Sequence, residues 1–150
     1  MRRASKKMKN PFQIVCVLAL TAAILPSAGA ADDTREKVNF PEMMRQHQFS
    51  NMRDHLAALN EILALLANSE LDKAADIAEH RLGMTSMVAH NASHMAPYMP
   101  KGMQAIGSEM HHAASRFAMA AQEGDLPRAL DSLSKVTQQC VACHSTYRVQ

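Results

Sequence analysis

The sequence predicts an all-α fold, an antiparallel up-down-up-down four-helix bundle, and three observations carry that expectation. Apolar residues recur every three to four positions in four separate stretches. No stretch alternates with the period of two that marks a strand. All but one of the connections between stretches are short, and short connections favour antiparallel neighbours.

Pro41 suits the first turn of the first helix. Phe49, Met52, Leu56, Leu59, Leu63 and Leu66 then recur at spacings of 3, 4, 3, 4 and 3, a bundle seam. Asn68 and Ser69 end it, and Ser69 with Asp72 predicts a capping box for the second helix. Leu71, Ala75, Ala78, Leu82, Thr85 and Ala89 carry that helix's stripe. Residues 91–102 hold Pro97, Pro100 and Gly102 and predict a loop between the two helix pairs. Met103, Ile106, Met110, Ala113, Phe117 and Ala120 form the third stripe, closed by Gly124. Asp125 predicts the N-cap of the fourth helix, with Pro127 in its first turn. Its stripe is Leu126, Leu130, Leu133, Thr137, Cys140, His144 and Tyr147.

The bundle is expected over residues 41–150, as one domain. Residues 1–30 read as a cleaved secretory leader. Arg2, Arg3, Lys6, Lys7 and Lys9 form its basic start, residues 12–25 its apolar run, and Ala28-Gly29-Ala30 its cleavage site. The run is too short for a comfortable membrane anchor and lacks a stop-transfer pattern. Export to the periplasm follows as an expectation, with no membrane attachment after cleavage. Residues 31–40 are polar and are expected to be a loose, flexible mature N-terminus.

Removing the leader takes away five of the 16 Lys and Arg and none of the 14 Asp and Glu, leaving a net charge of −3. No basic patch for nucleic acid is left. Asp54, Glu61, Asp72, Asp76 and Glu79 read as solvated helix faces, not catalytic carboxylates, so nothing among them points to an enzyme. Cys16 departs with the leader, and the two cysteines that stay lie in Cys140-Val141-Ala142-Cys143-His144. This is the C-x-x-C-H pattern of covalent c-type haem attachment. On a helix Cys140 and Cys143 share one face and can form thioethers to the two vinyl groups of one porphyrin. His144 then supplies an axial imidazole to the iron. The mature chain has no Trp and only Phe40, Phe49, Phe117, Tyr98 and Tyr147 as aromatics. A buried porphyrin would supply the large apolar body that such a core lacks.

A helical bundle, a leader and Cys140-Val141-Ala142-Cys143-His144-Ser145-Thr146-Tyr147-Arg148 near the end together resemble the cytochrome c′ and cytochrome c-556 group. The resemblance implies one covalent haem c, held by Cys140 and Cys143 near the C-terminal end of the fourth helix, with His144 proximal. Tyr147 and Arg148 match the Tyr/Arg pair that follows the family's motif. Arg148, four residues after His144, is expected to tune the proximal imidazole. The family often forms homodimers through its first two helices, although no second apolar stripe is assignable here.

The antiparallel order sets the start of the first helix over the other haem face. The family often carries Arg-Gln there, with the distal residue four after the Arg. Here Arg45-Gln46 puts Phe49 at that position. A Phe cap would leave the iron open to NO or CO. Met52 lies one turn further along the seam, and a Met/His pair suits single-electron transfer to periplasmic redox partners. Its bland alternative is core filling. Met44 lies off the seam, and His47 and His55 keep bis-His ligation open. A third, weaker reading is a copper-handling bundle, with a second metal held by His90 and His94 beside Met95, Met99 and Met103. His111 and His112 read as a partly exposed pair.

Overall fold

The computed structural model describes residues 32–149, and the leader expected over residues 1–30 lies outside them. A short strand, β1 (Glu36–Val38), precedes α1 (Glu42–Ala67) and α2 (Leu71–Arg81). A 3-10 turn (Met84–Met87), the short helix α3 (Ala92–Met95) and a second 3-10 turn (Ala96–Tyr98) lead into α4 (Lys101–Gln122). Then come α5 (Leu126–Thr146) and a last strand, β2 (Tyr147–Val149). The four long helices make the expected bundle, packing in the order α1, α2, α4, α5.

Its core is built largely of alanine. Ala58 of α1, Ala74, Ala75 and Ala78 of α2, Ala113, Ala114, Ala118, Ala120 and Ala121 of α4, and Ala129 of α5 are buried. A buried methyl contributes little by area alone, but it lets helix axes approach closely. Ile62, Leu82, Phe117 and Val136 fill the gaps between them. A second cluster at the other end joins Val38, Phe40, Met95, Met103 and Tyr147.

The turn between α4 and α5 follows its expected chemistry. Gly124 adopts φ +73°, and the Asp125 carboxylate accepts from the Arg128 backbone N–H at 3.0 Å. The capping box at Ser69 does not form. Ser69 itself takes a left-handed φ of 60°, and Glu70 becomes the cap residue of α2 with no side-chain bond.

α2 also stops at Arg81 and does not run on to Ala89. Hydroxyls compete for the backbone just beyond. Thr85 Oγ1 donates to the Glu79 carbonyl at 2.7 Å and Ser86 Oγ to the Gly83 carbonyl at 2.7 Å. The α1 seam is rotated from the leucine stripe. Gln48, His55, Ala58 and Ile62 are buried, whereas Leu56 is 70% exposed and Leu63 55%. Close packing on the alanine face of α2 selects the side of α1 that carries Ala58 and Ile62. In α5 the buried line is Ala129, Ser132, Leu133 and Val136, while Leu126, Leu130 and Thr137 are exposed.

The segment expected to be loose carries a strand. β1 pairs in parallel with β2, Glu36 opposite Tyr147 and Val38 opposite Val149. Val38 and Phe40 are buried, which gives this polar segment its anchor. The pairing fixes the start of α1 beside the end of α5.

Candidate functional site

Where α1 and α5 stand apart, a cavity of about 1060 Å³ opens between them, with α4 and residues 87–99 as its other walls. α5 is helical through the whole C-x-x-C-H segment, so Cys140 and Cys143 sit three residues apart on one face. Both thiols are free and half-buried, and both line the cavity. Burial pushes both thiol pKa values up and keeps them protonated. Cys140 Sγ donates to the Val136 carbonyl at 3.4 Å. The next residue, His144, is exposed along its helix and also lines the cavity. Its carbonyl accepts from Arg35 Nη1 at 3.2 Å, so the segment ahead of β1 braces the end of α5.

On the facing wall α1 presents Phe49 and Met52, both half-buried. The fold therefore brings Cys140, Cys143, His144, Phe49 and Met52 to one cavity. Met44 packs instead against the second cluster, and His47 faces the 84–91 connection, its Nε2 3.0 Å from the His90 carbonyl.

Arg148 is not among the cavity-lining residues. α5 ends at Thr146, so no helical i,i+4 relation links Arg148 to His144. Its guanidinium turns to the other edge, with Nε 3.4 Å from the Arg35 carbonyl and 3.6 Å from the Asp33 carboxylate.

The proposed His90/His94 pair also separates. His94 is exposed and Met95 is buried in the second cluster, because α3 and the turns around it break the helical spacing. His111 is buried, not partly exposed, and only His112 faces outward. His90 and His111 instead meet His55 on the cavity wall. Ring centroids are 4.7 Å apart for His55–His90, 5.3 Å for His90–His111 and 6.1 Å for His55–His111. Burial lowers all three pKa values, that of His55 to about 4 with the neighbouring His90 and His111 adding to the effect. The rings are therefore neutral at pH 7. In sequence His90 groups with His94, His111 with His112 and His55 with His47, and nothing local joins His55, His90 and His111. The missed signal for His111 is its place on the line of Ala114, Ala118 and Ala121, which are all buried.

The donor set tests what the cavity can hold. Its lining is mainly apolar, with two protonated thiols three residues apart on one helix face and an imidazole next to them. A flat apolar ring with two addable side groups and a metal centre fits that set. A Cytochrome C' family model matches residues 42–148. The chain belongs to the cytochrome c′ family. None of the curated proteins or solved structures compared matches it. Cytochrome c′ proteins bind one covalent haem c and are haem proteins, not enzymes. Among the described residues no helix is long and apolar enough to cross a membrane.

Proposed function

We propose that this cytochrome c′ family member is a periplasmic single-electron carrier, with Cys140 and Cys143 holding haem c, His144 as proximal ligand and Met52 as distal ligand. The observation that carries the reading is the shared cavity. Met52 faces it from α1, opposite the wall that bears Cys140, Cys143 and His144. Haem c supplies a one-electron couple when bound.

The chain's residues set the conditions for that couple. Cys140 and Cys143 fix the ring to α5. Phe49, Leu59, Met103, Ile106 and Met110 give the cavity apolar walls that exclude water. The parallel pairing of β1 with β2 holds the start of α1 against the end of α5, and so holds Met52 and His144 at a set separation. Met52 and His144 would offer the group a thioether and an imidazole, a donor pair that suits a raised potential and one-electron transfer. The charge of −3 after loss of the leader favours a redox partner with a positive docking face.

Phe49 supports the second reading, a five-coordinate haem that binds NO or CO, because it lines the same cavity one turn before Met52. Replacing Met52 with Ala separates the two. The electron-carrier reading expects the variant to lose the low-spin spectrum and gain CO binding. An unchanged spectrum removes Met52 from the iron.

A further inference from the structure

We propose that His55, His90 and His111 form a second metal site, on the wall of the same cavity that Cys140, Cys143 and His144 line, for a borderline transition cation of the zinc–copper class.

Three side chains from three elements meet there: α1 gives His55, the connection after α2 gives His90, and α4 gives His111. Their tautomers can be read from their partners. His111 Nδ1 lies 2.7 Å from the Leu82 carbonyl, so it carries the proton and leaves the Nε2 lone pair free. Ser86 Oγ spends its hydrogen on the Gly83 carbonyl at 2.7 Å. It can then only accept from His90 Nδ1, at 3.3 Å, which leaves His90 Nε2 free as well. His55 is 9% exposed, and its Nε2 is buried with no hydrogen-bond partner among the described residues. A buried nitrogen without a partner costs free energy unless something binds it. Ligating histidines typically donate their second N–H to a carbonyl or similar acceptor, the pattern seen at His90 and His111.

The spacing also fits. Three imidazoles on a tetrahedral ion, with nitrogens about 2 Å from it, have ring centroids about 5 Å apart. The observed 4.7, 5.3 and 6.1 Å bracket that value. Among the described residues no three ligands are already set around one point. Convergence needs ring rotation about χ2, a soft torsion in histidine. Uncharged rings keep their lone pairs available at neutral pH. Asn51 and His47 hold the His90 backbone by its carbonyl, at 3.2 and 3.0 Å, so the most exposed of the three ligands is placed by α1. Met87 and Met110 line the same cavity and offer thioethers to a copper(I) ion.

The test uses the haem-loaded protein, in which Cys140 and Cys143 are thioethers and cannot capture the added ion. After chelator treatment it is titrated with zinc and, separately, with copper(I), and binding is read by calorimetry. One ion per chain is expected, with affinity falling at least tenfold in His90→Ala and binding lost in His55→Gln with His111→Gln. Zinc should raise the Tm of the wild type and not that of the double variant. His94→Ala, at an exposed histidine, should bind as the wild type does. Preference for copper(I) over zinc would support the site and add a methionine to it. Three results would overturn the proposal: no saturable binding of either ion, full binding in His90→Ala, or loss of binding in His94→Ala. A fourth is a His55→Gln variant whose haem spectrum changes before any ion is added, because the imidazole would then belong to the iron.

Discussion

His55 is the residue whose ionisation most directly limits the folded state. Burial holds its pKa at about 4, against 6.5 in an unfolded chain. Between those values the unfolded chain binds the proton and the folded one does not, so stability falls as pH falls. The penalty is absent above pH 6.5, grows through pH 5 and is complete below about pH 4. At completion it is about 3 kcal/mol. Urea unfolding at pH 7.5 and pH 5 should show the wild type losing more stability on acidification than His55→Gln; equal losses would contradict the assignment. Single residues were unevenly legible in the sequence. The Cys140-Val141-Ala142-Cys143-His144 motif is local, so its spacing alone brings two thiols and an imidazole to one helix end. Histidine has no fixed place in a hydrophobic pattern, and a buried His55 looks in sequence like an exposed one. Only the meeting of α1, α4 and the connection after α2 reveals the cluster.

Among the elements, the two strands are the least visible in sequence. Each has three residues, too few for a period to show, and they pair across nearly the whole length of the chain. Their junction with the bundle is tight at Gly102, in the first turn of α4. A Cβ there would collide with the Tyr147 hydroxyl oxygen. Tyr147 is buried in the second cluster and cannot swing away without opening it. Gly102→Ala should therefore destabilise the protein by about 1–3 kcal/mol, as overpacking does. Adding Tyr147→Leu should make the Gly102 substitution nearly neutral, a coupling that a double-mutant cycle by thermal unfolding would measure. Additive effects would show that the ring does not meet the new methyl. The helices were legible from their 3.6-residue period, but the buried faces of α1 and α5 were not. Leu56 and Leu63 stand on the exposed side of α1 because alanine contacts with α2, not side-chain size, decide which side faces in. The end of α2 was hidden for a similar reason, since Thr85 fits the apolar stripe by position while it and the neighbouring Ser86 break the helix by hydrogen bonding.

At the scale of the molecule, an alanine core and a cavity of about 1060 Å³ belong to one design. Small side chains bring α2, α4 and α5 close together, while α1 and α5 are held apart around the space for a prosthetic group. Much of the apolar contact that would join α1 to α5 must then come from haem. A chain with Cys140→Ala and Cys143→Ala should lack a cooperative thermal transition, and a sharp one would show that the protein core suffices alone. Fold class followed from periodicity and the thiol-bearing wall of the cavity from one motif, whereas the distal side depended on which face of α1 turns inward. That side decides the function, and the optical spectrum of the purified haem-loaded protein tests it most directly. The account predicts a low-spin spectrum with a methionine–iron charge-transfer band and no change on adding CO. A high-spin spectrum that shifts with CO would contradict it and make the protein a gas-binding cytochrome c′.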